Sequence, residues 1–213
     1  MRSESRVFPA IAVVALPVIL AFLPARYQLM PTWLVFVVAL ALAIPMLVAG
    51  LAPENVPWRR AERWAAAIIL PLATVVELVQ LATLLVDMVK RDSGLSGLSL
   101  LTTSISIWTT NVLVFALAYW QIDRGGTTGR QLGFHGRADF SFPRGEPSEG
   151  VPDDWHPIFA DYLALAFNTS AAFSPTDVLP LTPRAKMLMT TQSVISLITV
   201  IAVGARAINI LGS

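Results

Sequence analysis

The chain has 213 residues, of which 55% are hydrophobic and 14% charged, whereas a soluble domain carries about 25% charged residues. With 15 basic against 14 acidic residues the net charge is +1, and no basic run carries interleaved aromatics, which excludes an electrostatic grip on nucleic acid. Cysteine is absent, so disulfides, thiolate metal sites and cysteine nucleophiles are excluded as well.

A helix that crosses hydrocarbon needs roughly 20 mostly apolar residues, because lipid leaves the backbone to satisfy itself. Five segments meet this requirement. The first, about Phe8 to Leu23, follows Arg2 and Arg6 in the manner of a signal peptide and is trailed by small residues from Ala21 to Ala25. Pro17 and Pro24 spoil the cleavage pattern, so a retained span is expected. The second runs from about Trp33 to Leu51. The third, about Trp64 to Val89, follows a loop holding Pro57, Trp58, Arg59, Arg60 and Arg63 and carries Glu77 at its centre. The fourth, about Leu98 to Ile122, ends in Tyr119 and Trp120, aromatics that suit the lipid headgroup level.

From Asp123 to Trp155 the chain is rich in Gly, Pro and charge and reads as an exposed loop. It holds both histidines, His135 and His156, without a neighbouring ligand set, so no metal site is expected. The apolar stretch Pro157 to Phe167 is only about a dozen residues, a length that suits a re-entrant or buried helix. Pro157, preceded by Asp153 and Asp154, fits the first turn of that helix. A polar break follows, and a fifth span runs from about Arg184 to Leu211. No repeat, phosphate-cradling glycine loop or catalytic triad is present, and neither enzymatic activity nor a cofactor is expected.

The run from Asp161 through Phe167, Thr169, Ala172, Phe173, Ser174, Pro175, Thr176 and Asp177 to Pro180 and Thr182 resembles the pore region of the potassium-channel superfamily. In that family a pore helix leads into the filter TVGYG, then an Asp, a Pro, a Thr or Ser, and a small and a basic residue opening the inner helix. Asp177, Pro180, Thr182, Ala185 and Lys186 stand at the corresponding places, and Phe167 and Thr169 suit the end of the pore helix. The resemblance covers roughly residues 154–211. It implies an all-α integral membrane fold of five transmembrane helices plus a re-entrant pore helix and filter-like loop, assembled as a homotetramer in the cell membrane. Residues 1–97 would form a three-helix region. Residues 98–213 would form a pore-like domain: outer helix 98–122, polar loop 123–156, pore helix 157–169, filter-like loop 170–183 and inner helix 184–211.

The sequence departs from the family at the filter itself. Glycines allow the left-handed backbone that turns successive carbonyls inward, whereas Pro175 fixes φ near −65° and has no amide hydrogen. Side chains of Ser174, Thr176 and Asp177 are therefore the expected ion contacts, giving a monovalent ion pathway of low selectivity. The alternative is a non-conducting scaffold or accessory subunit that keeps the pore fold. A transporter fits less well, since paired interrupted helices in two repeats are missing. No helix carries arginine at every third position, so voltage sensing is not expected. The expected partners are membrane lipid, further copies of the chain and a permeant inorganic ion.

Gln192, Ser196, Thr199, Val203 and Arg206 share one face of the last helix. They either line the cavity below the filter or bind helices together by hydrogen bonds. Four pore-facing copies of Arg206 would repel cations, so either the side chain turns away, pairs or snorkels, or the pathway favours anions. Glu77 shares a face with Gln80, Leu84 and Asp87. A short turn between the third and fourth spans places it level with Asn111, as a structural or a proton-sensitive group. Orientation is contested: the resemblance puts the filter loop outside, while the arginines at 59, 60, 63, 124, 130, 137 and 144 place the same end in the cytoplasm.

Overall fold

Apolar runs bounded by proline, glycine and charge fold into helices that alternate in direction between two ends of the molecule. The computed structural model of the chain describes residues 5–52, 54–90, 97–131, 138–143, 155–172 and 177–211. The helices are α1 (Val7–Ala21), α2 (Thr32–Leu51), α3 (Val56–Lys90), α4 (Gly97–Ile122), the short α5 (Gly126–Gln131), α6 (Phe159–Ala172) and α7 (Pro183–Leu211). Two short strands, β1 (Phe140–Ser141) and β2 (Leu179–Pro180), pair antiparallel with Phe140 opposite Pro180. The end that carries this ribbon is called the ribbon end below.

Four helices, α2, α3, α4 and α7, are long and apolar enough to cross a bilayer. The chain thus has the architecture of a mostly helical, multi-pass membrane protein. α1 has 15 residues, about 22 Å at 1.5 Å per residue and short of the ~30 Å hydrocarbon core. Both ends of the first segment are nevertheless tied to α3. At the ribbon end Arg6 forms an ion pair with Glu62 at 3.2 Å and donates to Ala49 O at the end of α2. At the opposite end Arg26 and Tyr27 both donate to Asp87, and Gln80 donates to Tyr27 O. Glu62 and Asp87 lie roughly 37 Å apart along α3, so residues 6–27 run alongside the apolar length of that helix.

α4 is the central helix: it packs against α1, α3, α6 and α7 and is the most enclosed of the four long helices. The outer faces of α1, α2 and α3 expose apolar side chains such as Phe8, Phe36 and Ile68, which suits hydrocarbon rather than water.

Three sequence expectations change here. α3 begins at Val56 rather than near Trp64, because Pro57 is accommodated in a first turn and Glu62 finds a buried partner in Arg6. The stretch from Asp123 is not simply an exposed loop: Asp123, Thr127, Asp139 and Phe140 are buried and residues 126–131 are helical. Tyr119 and Trp120 are fully buried under α6 and the ribbon instead of sitting at a headgroup surface.

The turn out of α4 depends on glycine. Gly126 has φ +74°, and a Cβ there would stand 2.6 Å from Gln121 O. Gly126→Ala is therefore expected to lower stability by about 1–3 kcal/mol, read as a lower thermal midpoint by tryptophan fluorescence in detergent.

Candidate functional site

The site is built on α6, and its position is set at the ribbon end. Asp123, closing α4, is fully buried and accepts from Asp139 N at 2.8 Å, Phe140 N at 3.3 Å and Tyr162 Oη at 2.7 Å. One carboxylate thus joins α4, the ribbon and α6. Asp139, also buried, accepts from Thr182 Oγ1 and from Nε and Nη2 of Arg184, a two-pronged pairing that fixes the start of α7. The Arg130 guanidinium lies 5.4 Å from the Trp120 ring and 5.7 Å from the Tyr162 ring and donates to Trp120 O and Asp123 O. Phe140, Phe142, Trp155 and Phe159 fill the space around these groups edge to face.

From this cap α6 descends along α4. Asp161 in its first turn accepts from Ile158 N at 2.7 Å, offering negative charge to the positive helix end. Pro157 precedes the helix instead of opening it, and Asp153 and Asp154 lie outside the described residues. Near the other end of α6, Ser170 donates to Asn111 Oδ1 at 3.2 Å. By Leu179 the chain is back at the ribbon end, with Leu181 N bonded to Asp139 O. Among the described residues, Phe159 thus lies at the ribbon end, Ser170 beside the middle of α4, and Leu179 at the ribbon end again.

A chain of buried polar groups runs down the seam of α4, α6 and α7. Tyr119 Oη donates to Gln192 Oε1. Gln192 Nε2 donates to Ala166 O and Ser170 Oγ, both at 2.8 Å. Asn111 Oδ1 accepts from Ser170 and, at 3.3 Å, from Ser196. In a medium without water each of these groups needs a protein partner. Gln192, Ser196 and Thr199 are thus buried inside the chain's own helix packing, and Thr199 bonds its own helix at Ile195 O. Of the two roles expected for this face, the hydrogen bonds favour the fastening of helices over the lining of a cavity, since it meets α4 and α6. The Arg206 side chain lies outside the described part of the chain.

Glu77 is fully buried in α3 with Gln80, Leu84 and Asp87 on the same inward face. Neither of its carboxylate oxygens has a hydrogen-bond partner, and neither has Asn111 Nδ2. Asn111 stands level with the Glu77 carboxyl but outside hydrogen-bonding geometry. Burying a carboxylate without a partner is costly. Glu77→Gln, which keeps the shape, is therefore expected to hold or raise stability by up to about 2 kcal/mol, read as an unchanged or higher thermal midpoint. A lowered midpoint in the same unfolding measurement would assign Glu77 a stabilising charge.

The other expected site residues fall as follows. Phe167 is half exposed and meets Trp108 edge to face at 5.5 Å. Thr169 is buried with no partner for its hydroxyl. Ala172, expected in the filter-like loop, is the last residue of α6, because the helix continues three residues past Thr169. Phe173, Ser174, Pro175 and Thr176 lie outside the described residues, and Asp177 is exposed just before β2. His135 also lies outside the described residues, while His156 is exposed ahead of α6.

Sequence reasoning missed Tyr119, Asp123, Asp139, Tyr162 and Ser170. Comparison of the chain with protein-family models, curated proteins and solved structures finds no match.

Proposed function

We propose that the chain is a channel-like membrane protein in which α6 and the segment after it form a re-entrant pore loop, with α4 as outer and α7 as inner helix. The observation that carries this reading is where the described residues fall: Phe159 at the ribbon end, Ser170 beside Asn111 and Gln192, and Leu179 paired in the ribbon again. Backbone that stops and turns at such a depth is tolerated where protein buries it or where it borders a water-filled path, and its usual work is to hold oxygens against a permeating ion. In this reading α1 is a fifth span, and four copies in the cell membrane surround a shared axis. The cavity-lining role passes to the exposed face of α7, with Met187, Thr190, Thr191 and Val194. Without filter glycines, selectivity rests on Ser174, Thr176 and Asp177, and the permeant species is a monovalent cation.

One observation favours a second reading, a non-conducting scaffold of the same fold. The most polar face of α7 is consumed in fastening α4, α6 and α7 together, which a subunit built for assembly also requires. Recording from purified protein in planar bilayers separates the two. A conducting pore is expected to carry monovalent current that Asp177→Asn reduces about tenfold at low ionic strength, since a ring of carboxylates concentrates cations at a mouth. Silence across salts and voltages overturns conduction and leaves the scaffold.

A further inference from the structure

The helix α3 has 35 residues and is therefore about 52 Å long, well beyond the ~30 Å of hydrocarbon. Its apolar stretch opens at Trp64, eight residues after the helix begins at Val56. The first two turns, which carry Arg59, Arg60, Glu62 and Arg63, are thus the part that stands outside the apolar layer at the ribbon end.

One face of α3 runs unbroken across this boundary. Arg60, Arg63, Trp64, Ile68 and Val75 recur at intervals of three, four and seven residues, which stacks them on one side of a helix, and all five are exposed. Trp64 is 67% exposed. Val75 lies about 18 Å along the axis from Arg63, slightly more than the ~15 Å of hydrocarbon in one leaflet.

Charge at this end of the molecule is sorted by burial. Glu62 is spent inside on Arg6 and Thr127. Asp123 and Asp139 are spent on the ribbon, Tyr162 and Arg184. Arg60 and Arg63, by contrast, make no hydrogen bond or ion pair among the described residues. The exposed acid nearest to them in sequence is Glu54, six residues before Arg60. Two guanidinium groups without counter-charge therefore stand above an exposed indole and an apolar stripe.

We propose that this face of α3 binds an anionic phospholipid, with its phosphate on Arg60 and Arg63, its glycerol region beside Trp64 and a tail along Ile68 and Val75. Guanidinium groups present paired N–H donors that match phosphate oxygens, and tryptophan favours the level between headgroup and tail. A zwitterionic lipid offers the same phosphate but cancels it with its own ammonium, so the site selects lipids of net negative charge.

Native mass spectrometry of the full chain in mild detergent, titrated with phosphatidylglycerol or with phosphatidylcholine of the same tail length, tests this. Each basic group near an anionic headgroup is worth about fivefold in affinity, so the first phosphatidylglycerol is expected to bind about thirtyfold more tightly than phosphatidylcholine. Arg60→Gln with Arg63→Gln is expected to abolish that preference, and Arg60→Lys with Arg63→Lys to retain most of it. Lys186→Glu, which changes the charge of the same end by the same two units on α7, is expected to leave it within about twofold. Equal affinity for the two lipids, or a preference that survives the glutamine pair, overturns the proposal. An equal loss in Lys186→Glu overturns it as well, because it assigns the preference to the overall field. Displacement of phosphatidylglycerol by an equal concentration of glycerol phosphate also overturns it, because it assigns the arginines to a free anion without a tail.

Discussion

Asp123→Ala is expected to cost at least about 3 kcal/mol, because it strands three donors at once, the amides of Asp139 and Phe140 and the hydroxyl of Tyr162, and each unsatisfied buried group costs about 1–3 kcal/mol. The loss is structural before it is functional. Asp123 is the knot between the end of α4, the ribbon and the first turns of α6, so its removal frees the start of α6. Asp123→Asn keeps one acceptor oxygen for the two amides and offers its own amide to the Tyr162 oxygen, and should cost about 1 kcal/mol. Denaturant unfolding in detergent micelles, followed by tryptophan fluorescence, gives both values. An alanine variant as stable as the asparagine variant would remove Asp123 from its assigned place.

Glu62→Gln carries the second large effect. Arg6 and Glu62 are both about 1% exposed at the side chain, and Glu62 also accepts from Thr127 at 3.1 Å. Deleting one charge of a buried pair leaves the other uncompensated, at about 3–5 kcal/mol. The paired replacement Arg6→Met with Glu62→Leu is expected to regain most of that loss, since apolar groups of similar volume often substitute for a buried pair at little cost. The same unfolding experiment compares single and double variants. Equal destabilisation of both would place the value of this site in the hydrogen bonds to Thr127 and Ala49 rather than in the pair of charges. Gly50 contributes to the same joint: a Cβ there would come within 3.2 Å of the Arg6 side chain, so the bare backbone lets the arginine lie across α2 without being displaced.

Legibility of the fold followed the range of the forces involved. The long apolar helices were readable because hydrocarbon imposes both length and composition on whatever crosses it. The inward face of Glu77, Gln80, Leu84 and Asp87 was readable because helical periodicity is local, as was the level of Asn111 relative to Glu77. The direction in which the last helix turns was not. Spacing groups Gln192, Ser196 and Thr199 on one face, but only tertiary packing decides whether that face meets water or Ser170 and Asn111. Asp123 and Asp139 were illegible for a similar reason. Their partners Tyr162 and Arg184 lie tens of residues away in the sequence, and an aspartate in a glycine- and arginine-rich stretch has no local mark to set it apart from a solvated one. α6 was visible as a half-length apolar run, although its capping by Asp161 rather than Pro157 depended on local backbone geometry.

The enclosed position of α4 has a consequence for biogenesis. Of the four long helices it is the least hydropathic, and the amide of Asn111 finds Ser170 and Ser196 only on segments synthesised later. The translocon therefore releases α4 into lipid before its partners exist, and its seat is completed when the final third of the chain emerges. A nascent chain halted ahead of Ser170 would carry an unquenched amide in the bilayer, the kind of lesion that membrane quality-control proteases read.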